Sequence, residues 1–494
     1  MMKYISTRDT DLYPRSVTSA EAIKEGLAPD GGLYIPLVFP RISAGDFDAL
    51  IHMNYPERAA LVLSRFLDDY DLDELYEDCA EAYSEARFPG GPAPMHKLSD
   101  DVYSLELWHG PTSAFKDMAL QLMPRLLSRA LKMTGEDKTI HILVATSGDT
   151  GKAALEGYSD VDGVKITVFY PVDGVSEMQK RQMQTTLGDN VYVAAVEGNF
   201  DDAQTGVKRI FSDERLKEKA AENGFIFGSA NSINWGRLVP QIVYYISSYC
   251  DLCASGEIEL GDKVNIAVPT GNFGNIFAAY LAMRMGLPVN RFICASNSNN
   301  VLTDFINTGV YDRTREFYKT ISPSMDILVS SNLERLIYTL GGAEMTKDLM
   351  EQLSRKGKYT APDSLMFEIR KYFSAYSLDE DETKEEIRHT WEKDGYLIDP
   401  HTAVGLGCVR KFRLDTGDVK KTILASTASP YKFAPAVCDA IGCPTDDSIF
   451  KTLSALSEKT KTEIPTPLSS AEKLDVRFTE VIRKDEMADL VFRV

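Results

Sequence analysis

Ile140-His141-Ile142-Leu143-Val144-Ala145-Thr146-Ser147-Gly148-Asp149-Thr150-Gly151-Lys152-Ala153-Ala154-Leu155 is the stretch that decides the fold class of this 494-residue chain. Its first six residues form a short apolar run, which reads as a buried strand. The next six carry hydroxyls and glycines, the composition of a turn. A helix begins on the far side of that turn. Strand, tight loop and helix in this order form the repeating unit of an α/β fold. Working outward, the same signal predicts strands at 164–170 and 191–196, then at 264–269 and 292–295, and again at 422–427.

Around this core the pattern changes. Residues 1–90 read as a helical cap, with Thr18-x-x-Glu21 as a capping box and helical runs at 59–66 and 72–83. Pro89-Gly90-Gly91-Pro92-Ala93-Pro94 then marks a linker. Residues 95–300 and 395–440 form the α/β core in two subdomains. Residues 300–395 read as a mostly helical insertion, whose acidic run 379–382 opens a solvated helix. Residues 440–494 form a C-terminal segment.

Composition narrows the function. At 44% hydrophobic and 26% charged residues, the chain is an ordinary globular protein. The formal net charge is −19. So acidic a surface argues against nucleic acid and anionic membranes, because both need basic patches. No stretch reaches membrane-spanning length. The first residues lack the apolar run of a signal peptide, and the seven cysteines are scattered, so a reducing cytoplasm is expected. Cys250-x-x-Cys253 has no second ligand pair, and no metal site is expected.

Ligands of open α/β sheets bind at the carboxyl ends of the strands. Three such ends carry polar loops. In the first, Thr146, Ser147 and Thr150 offer hydroxyls beside the free N–H groups of a helix start, a setting that suits a carboxylate. Capping of the turn is the plain alternative. In the second, Thr270-Gly271-Asn272-Phe273-Gly274-Asn275 offers a backbone cradle for a phosphate. It matches neither a Walker loop nor the dinucleotide fingerprint, so a single phosphate monoester fits better. In the third, Thr427 can meet a ring nitrogen or simply cap its loop. A further segment, Asn231-Ser232-Ile233-Asn234-Trp235-Gly236-Arg237, holds a guanidinium able to clamp a phosphate or carboxylate.

The last part is His109-Gly110-Pro111-Thr112-Ser113-Ala114-Phe115-Lys116-Asp117-Met118. It places Lys116 after an alternating strand at 103–108 and a turn, and before a helical run that Pro124 should kink or interrupt. A lysine among apolar neighbours gives up its proton more readily and attacks carbonyls; the plain alternative is a surface lysine. Pyridoxal phosphate needs a lysine for its aldehyde, a phosphate cradle and a partner for its ring nitrogen. Its amino-acid substrate needs a carboxylate site. All four parts are present.

The segment 109–117 resembles the cofactor-lysine motif of the pyridoxal-phosphate enzymes related to the tryptophan synthase β subunit, a motif shared with serine and threonine dehydratases. Asp30-Gly31-Gly32-Leu33-Tyr34, the loop 271–275 and Ser429-Pro430-Tyr431-Lys432-Phe433 resemble the threonine synthases of the bacterial and fungal subgroup, over nearly the whole chain. The resemblance implies fold type II, pyridoxal 5'-phosphate as cofactor, and a monomer or homodimer. It also implies conversion of O-phospho-L-homoserine and water to L-threonine and phosphate. Lys116 would carry the cofactor's aldehyde. Gly271, Asn272, Phe273, Gly274 and Asn275 would hold its phosphate, and Thr427 would meet its ring nitrogen. Thr146, Ser147 and Thr150 would lie at the substrate carboxylate, with Ser232 and Arg237 at the substrate phosphate. Many relatives have asparagine where Asp149 stands, near the cofactor's phenolic oxygen. An ionised aspartate would repel a phenolate, so Asp149 is expected to be protonated or turned away. A related lyase giving 2-oxobutyrate and ammonia is a competing reading. So is a non-catalytic cofactor-binding relative, although an intact Lys116 speaks against that one. The stretch 300–395 carries no motif.

Overall fold

The computed structural model describes residues 1–99, 101–172 and 174–494. Two sheets organise it. The larger runs in the order Phe373–Ser377, Val289–Ser296, Val264–Pro269, Thr422–Ser426, Val102–Glu106, Met95–Ser99, and is parallel except for the last pair. The smaller is wholly parallel, in the order Val481–Ile482, Val191–Val196, Val164–Pro171, Thr139–Ala145, Phe225–Gly228. Val264–Pro269 and Thr422–Ser426 are buried along their whole length. Central parallel strands are covered on both faces, which is why they read as continuous apolar runs and not as alternation.

Four strands of these two sheets escape the sequence reading: Met95–Ser99, Phe225–Gly228, Phe373–Ser377 and Val481–Ile482. They are the outermost strand on each side of both sheets. An edge strand is half exposed, as in Met95–Ser99, and lacks the apolar run that marks a central one. Two of them extend the expected organisation. Phe373–Ser377 lies within 300–395 and pairs in parallel with Val289–Ser296, so that region contributes a strand to the larger sheet. Val481–Ile482 brings the C-terminal region onto Val191–Val196.

At the N-terminus, the helices Ser19–Glu25, Ala44–Ile51, Tyr55–Ser64 and Leu72–Ala82 accompany a small antiparallel pair, Tyr4–Ser6 with Tyr34–Pro36. Thr18 and Glu21 form a reciprocal capping box. This region clasps the start of the helix Leu333–Lys356. Glu334 accepts from Thr7 Oγ1 at 2.6 Å and from Arg8 Nη2 at 2.6 Å, and Arg335 Nε donates to the Tyr34 carbonyl at 3.0 Å. Near Lys116, the chain breaks into two helices, Asp117–Leu120 and Met123–Met133. Pro124 stands at the first turn of the second, where its missing N–H breaks no helical bond.

Candidate active site

Three adjacent parallel strands, Val264–Pro269, Thr422–Ser426 and Val102–Glu106, release their loops side by side at their carboxyl ends. The lysine loop and the Thr427 loop are stitched together: Phe115 N donates to the Thr427 carbonyl at 2.8 Å, and Ser429 N to the Ser113 carbonyl at 3.1 Å. Two non-glycine residues here adopt left-handed backbone, Ser113 at φ 58° and Phe273 at φ 61°. Such conformations cost of order 1 kcal/mol or more and persist where the surroundings over-determine them. The glycines of the cradle serve another purpose. A Cβ on Gly271 would lie 2.7 Å from the Ser324 carbonyl oxygen, and one on Gly274 would lie 3.3 Å from Asn332 Nδ2. They make room for neighbouring groups while the helix Gly274–Met285 points its unpaired first N–H groups into the loop.

Lys116 is partly buried beneath these loops. Its Nζ lies 3.3 Å from Ser324 Oγ and 3.7 Å from Asp149 Oδ2. Burial pushes its pKa down to about 8 against the pull of Asp149, and the cations Lys432 and Arg237 push the same way. A useful fraction of the amine is therefore neutral near physiological pH, the condition for attack on an aldehyde.

Asp149 is held as a carboxylate among charged and polar neighbours. Its Oδ1 pairs with Lys432 Nζ at 2.7 Å and accepts from Gln179 Nε2 at 2.9 Å; its Oδ2 accepts from Ser324 Oγ at 3.2 Å. Burial alone would raise its pKa, but Lys432 and Lys116 outweigh that and hold it well below the usual carboxylate range. Lys432 is wholly buried and also donates to the Thr112 carbonyl at 2.9 Å. It is the counter-ion that makes a buried aspartate tolerable beside Lys116.

The other expected residues divide. Thr146 Oγ1 accepts from the N–H groups of Gly148 and Gly151, both at 2.9 Å, so that oxygen caps its own loop and keeps its hydroxyl proton to donate. Ser147, Thr150 and Ser232 are half-buried. Asn272 is exposed, and its carbonyl accepts from Asn332 N and Nδ2. Asn275 Oδ1 accepts from the hydroxyls of Tyr244 and Tyr245, while its Nδ2 is buried without a hydrogen-bond partner among the described residues. Arg237 is 3% exposed; its Nη1 donates to the Ala230 carbonyl, its Nε has no hydrogen-bond partner among the described residues, and burial lowers its pKa to about 10. Among the described residues it has no carboxylate partner.

Lys432, Ser324, Asn332 and Gln179 were not singled out in the sequence. The tight turn Ser322-Pro323-Ser324 and the lysine inside Ser429-Pro430-Tyr431-Lys432 are the signals that could have flagged two of them. Among the described residues, no group of His, Cys, Asp and Glu side chains could hold a metal ion, and no helix is long and apolar enough to cross a membrane.

The residues present fit pyridoxal phosphate. A lysine of lowered pKa stands beside a cradle emptied of side chains at 271 and 274, with unpaired donors at Asn275 and Arg237. Residues 87–425 match the family model described as "Pyridoxal-phosphate dependent enzyme", which gives the class. Residues 3–83 match "Threonine synthase N terminus" and residues 402–488 "Threonine synthase, C-terminal". The chain is 40% identical to the threonine synthase of Pseudomonas aeruginosa, covering 88% of this chain and 90% of that one. It matches the crystal structure of PLP-bound threonine synthase from Brucella melitensis at 35% identity and TM-score 0.88, over 100% of this chain and 99% of that one. The chain therefore belongs to the threonine synthase family, and its fold is the fold type II α/β fold. It is also 42% identical to human threonine synthase-like 1, over 89% of this chain, and the match spans only 60% of that relative's length.

Proposed function

We propose that this chain converts O-phospho-L-homoserine and water to L-threonine and phosphate. The observation that carries the reading is a pair of features in one site. One is a lysine whose pKa falls to about 8; the other is Arg237, a buried cation close enough to push that pKa down and lacking a carboxylate partner among the described residues. An unpaired buried cation is costly until an anion reaches it.

Bound pyridoxal phosphate supplies an electron sink for the pairs released at Cα and Cβ. The chain's own residues do the rest. Ser147 and Thr150 orient the substrate carboxylate, with Thr146 bracing their loop, and Ser232 and Arg237 hold the substrate phosphate. These two anchors fix the carbon chain between them. Lys116 Nζ takes the proton from Cα, hands it on so that its lone pair is free again, and then takes one from Cβ. Phosphate leaves Cγ, its charge stabilised by Arg237. Cγ gains a proton, water delivers hydroxyl to Cβ, and Cα regains its hydrogen. The seven cysteines are all free, which supports a reducing compartment such as the cytoplasm.

The test is to give the cofactor-loaded protein O-phospho-L-homoserine and identify the products. Threonine and phosphate in equal amounts are expected. Homoserine, or 2-oxobutyrate with ammonia, would overturn the reading.

A further inference from the structure

Ser324 lies in the region 300–395, in a short turn, Pro323–Met325, that no sequence signal connected to Lys116. Its hydroxyl accepts from Lys116 Nζ at 3.3 Å and donates to Asp149 Oδ2 at 3.2 Å. Three independent ties hold it there. Its N–H donates to His401 Nε2 at 3.1 Å, so the ring proton belongs on Nδ1, which meets Asp399 Oδ1 at 2.7 Å. Asp326, two residues on, accepts from Thr320 N at 2.9 Å and from Asn297 Nδ2 at 2.8 Å, knotting the turn. Its carbonyl oxygen lies where a Cβ on Gly271 would collide, so the turn rests directly on the cradle loop.

We propose that Ser324 is a positioning residue for Lys116. A neutral amine has two N–H bonds and one lone pair. With one N–H directed at Ser324 Oγ and the other toward Asp149, the lone pair faces the remaining direction. Ser324 and Asp149 together aim the nucleophile, and the His401–Asp399 pair keeps Ser324 in register. An aim fixed by packed, hydrogen-bonded supports is what a preorganised site requires.

The inference rests on Lys116 being the lysine that condenses with the cofactor, and its test separates the two claims. Borohydride reduction of the loaded parent protein, followed by peptide mapping, checks Lys116 itself. Cofactor-free Ser324→Ala and Ser324→Thr proteins are then compared with the parent in two measurements. One is the equilibrium affinity for pyridoxine 5'-phosphate, an alcohol that has no aldehyde and cannot condense. The other is the rate at which pyridoxal phosphate condenses, followed by absorbance across pH. Ser324→Ala should hold the alcohol with unchanged affinity yet condense about tenfold more slowly at neutral pH, the worth of one hydrogen bond to a charged or reacting group. Ser324→Thr, which keeps the hydroxyl, should recover most of the rate. Condensation at the parent rate in Ser324→Ala would overturn the proposal. So would equal loss of both measurements, which would mean only that the turn had lost its shape, and so would failure of threonine to rescue.

Discussion

Replacing Lys432 by methionine keeps the length of the side chain and removes its charge. Asp149 then faces Lys116 as its remaining cation. In the parent, Lys116 sits at about 8 because burial, Lys432 and Arg237 together outweigh Asp149. Without Lys432 the balance moves toward Asp149, and the amine returns toward the ordinary lysine range. At pH 7 a lysine at about 8 is neutral roughly one time in ten, and an ordinary lysine roughly three times in ten thousand, a gap of about 300-fold. Burial is the largest cause of the shift and Arg237 remains, so Lys432→Met should recover only part of that interval. The expected result is condensation of pyridoxal phosphate about tenfold slower at pH 7, with the midpoint of its pH profile moved up by about one unit. The sign follows from the reactive form: a raised pKa removes neutral amine at any pH below it, so the two rates converge in strong alkali. The variant should also lose roughly 3 kcal/mol of stability in urea, the low end for breaking a buried pair, because Lys116, Gln179 and Ser324 still satisfy Asp149. Stopped-flow absorbance across pH measures the first effect. An unmoved midpoint would refute the electrostatic account of Lys116.

Gly271→Ala should weaken pyridoxal phosphate binding by about tenfold or more, because the new methyl would stand 2.7 Å from the Ser324 carbonyl and displace the turn from the cradle; a titration of the folded variant decides it. Thr427→Asp should keep the cofactor and lose most turnover, since a carboxylate favours a protonated ring nitrogen where a hydroxyl does not; near-normal turnover would place Thr427 away from the ring. Glu334→Gln should weaken the clasp with Arg8 and Thr7, costing about 2 kcal/mol of stability because Arg8 is partly exposed, and so lower the thermal midpoint. An unchanged melting curve would remove this clasp from the forces joining the N-terminal region to the helix Leu333–Lys356.

What the sequence revealed follows from where each residue sits. Central strands such as Thr139–Ala145 and Val264–Pro269 are apolar on both faces and announce themselves. The four edge strands are not, and only pairing with a neighbour makes them strands. The same division holds at the site. The loop 271–275 and Thr427 lie directly after strands and Lys116 stands at the start of a helix, so local pattern locates them. Ser324 and Lys432 reach the site from 208 residues away and from the far end of their own loop, and only the folded chain brings them to Lys116 and Asp149. Asp149 shows the same limit. Its ionisation is set by Lys432, and a single position carries no record of its counter-ion. The glycine at 271 suggested backbone approach to a phosphate. The structure adds a second demand on it, room for the Ser324 carbonyl.

The most direct test of the proposed reaction follows hydrogen. When phosphate leaves Cγ, that carbon carries two hydrogens, and the methyl group of threonine carries three. Run in deuterium oxide with O-phospho-L-homoserine, the cofactor-loaded protein should therefore release threonine bearing solvent deuterium in its methyl group and at Cα, read by mass spectrometry and NMR. Threonine with an unlabelled methyl group would contradict the route through Cβ and Cγ, and product without threonine would contradict the function.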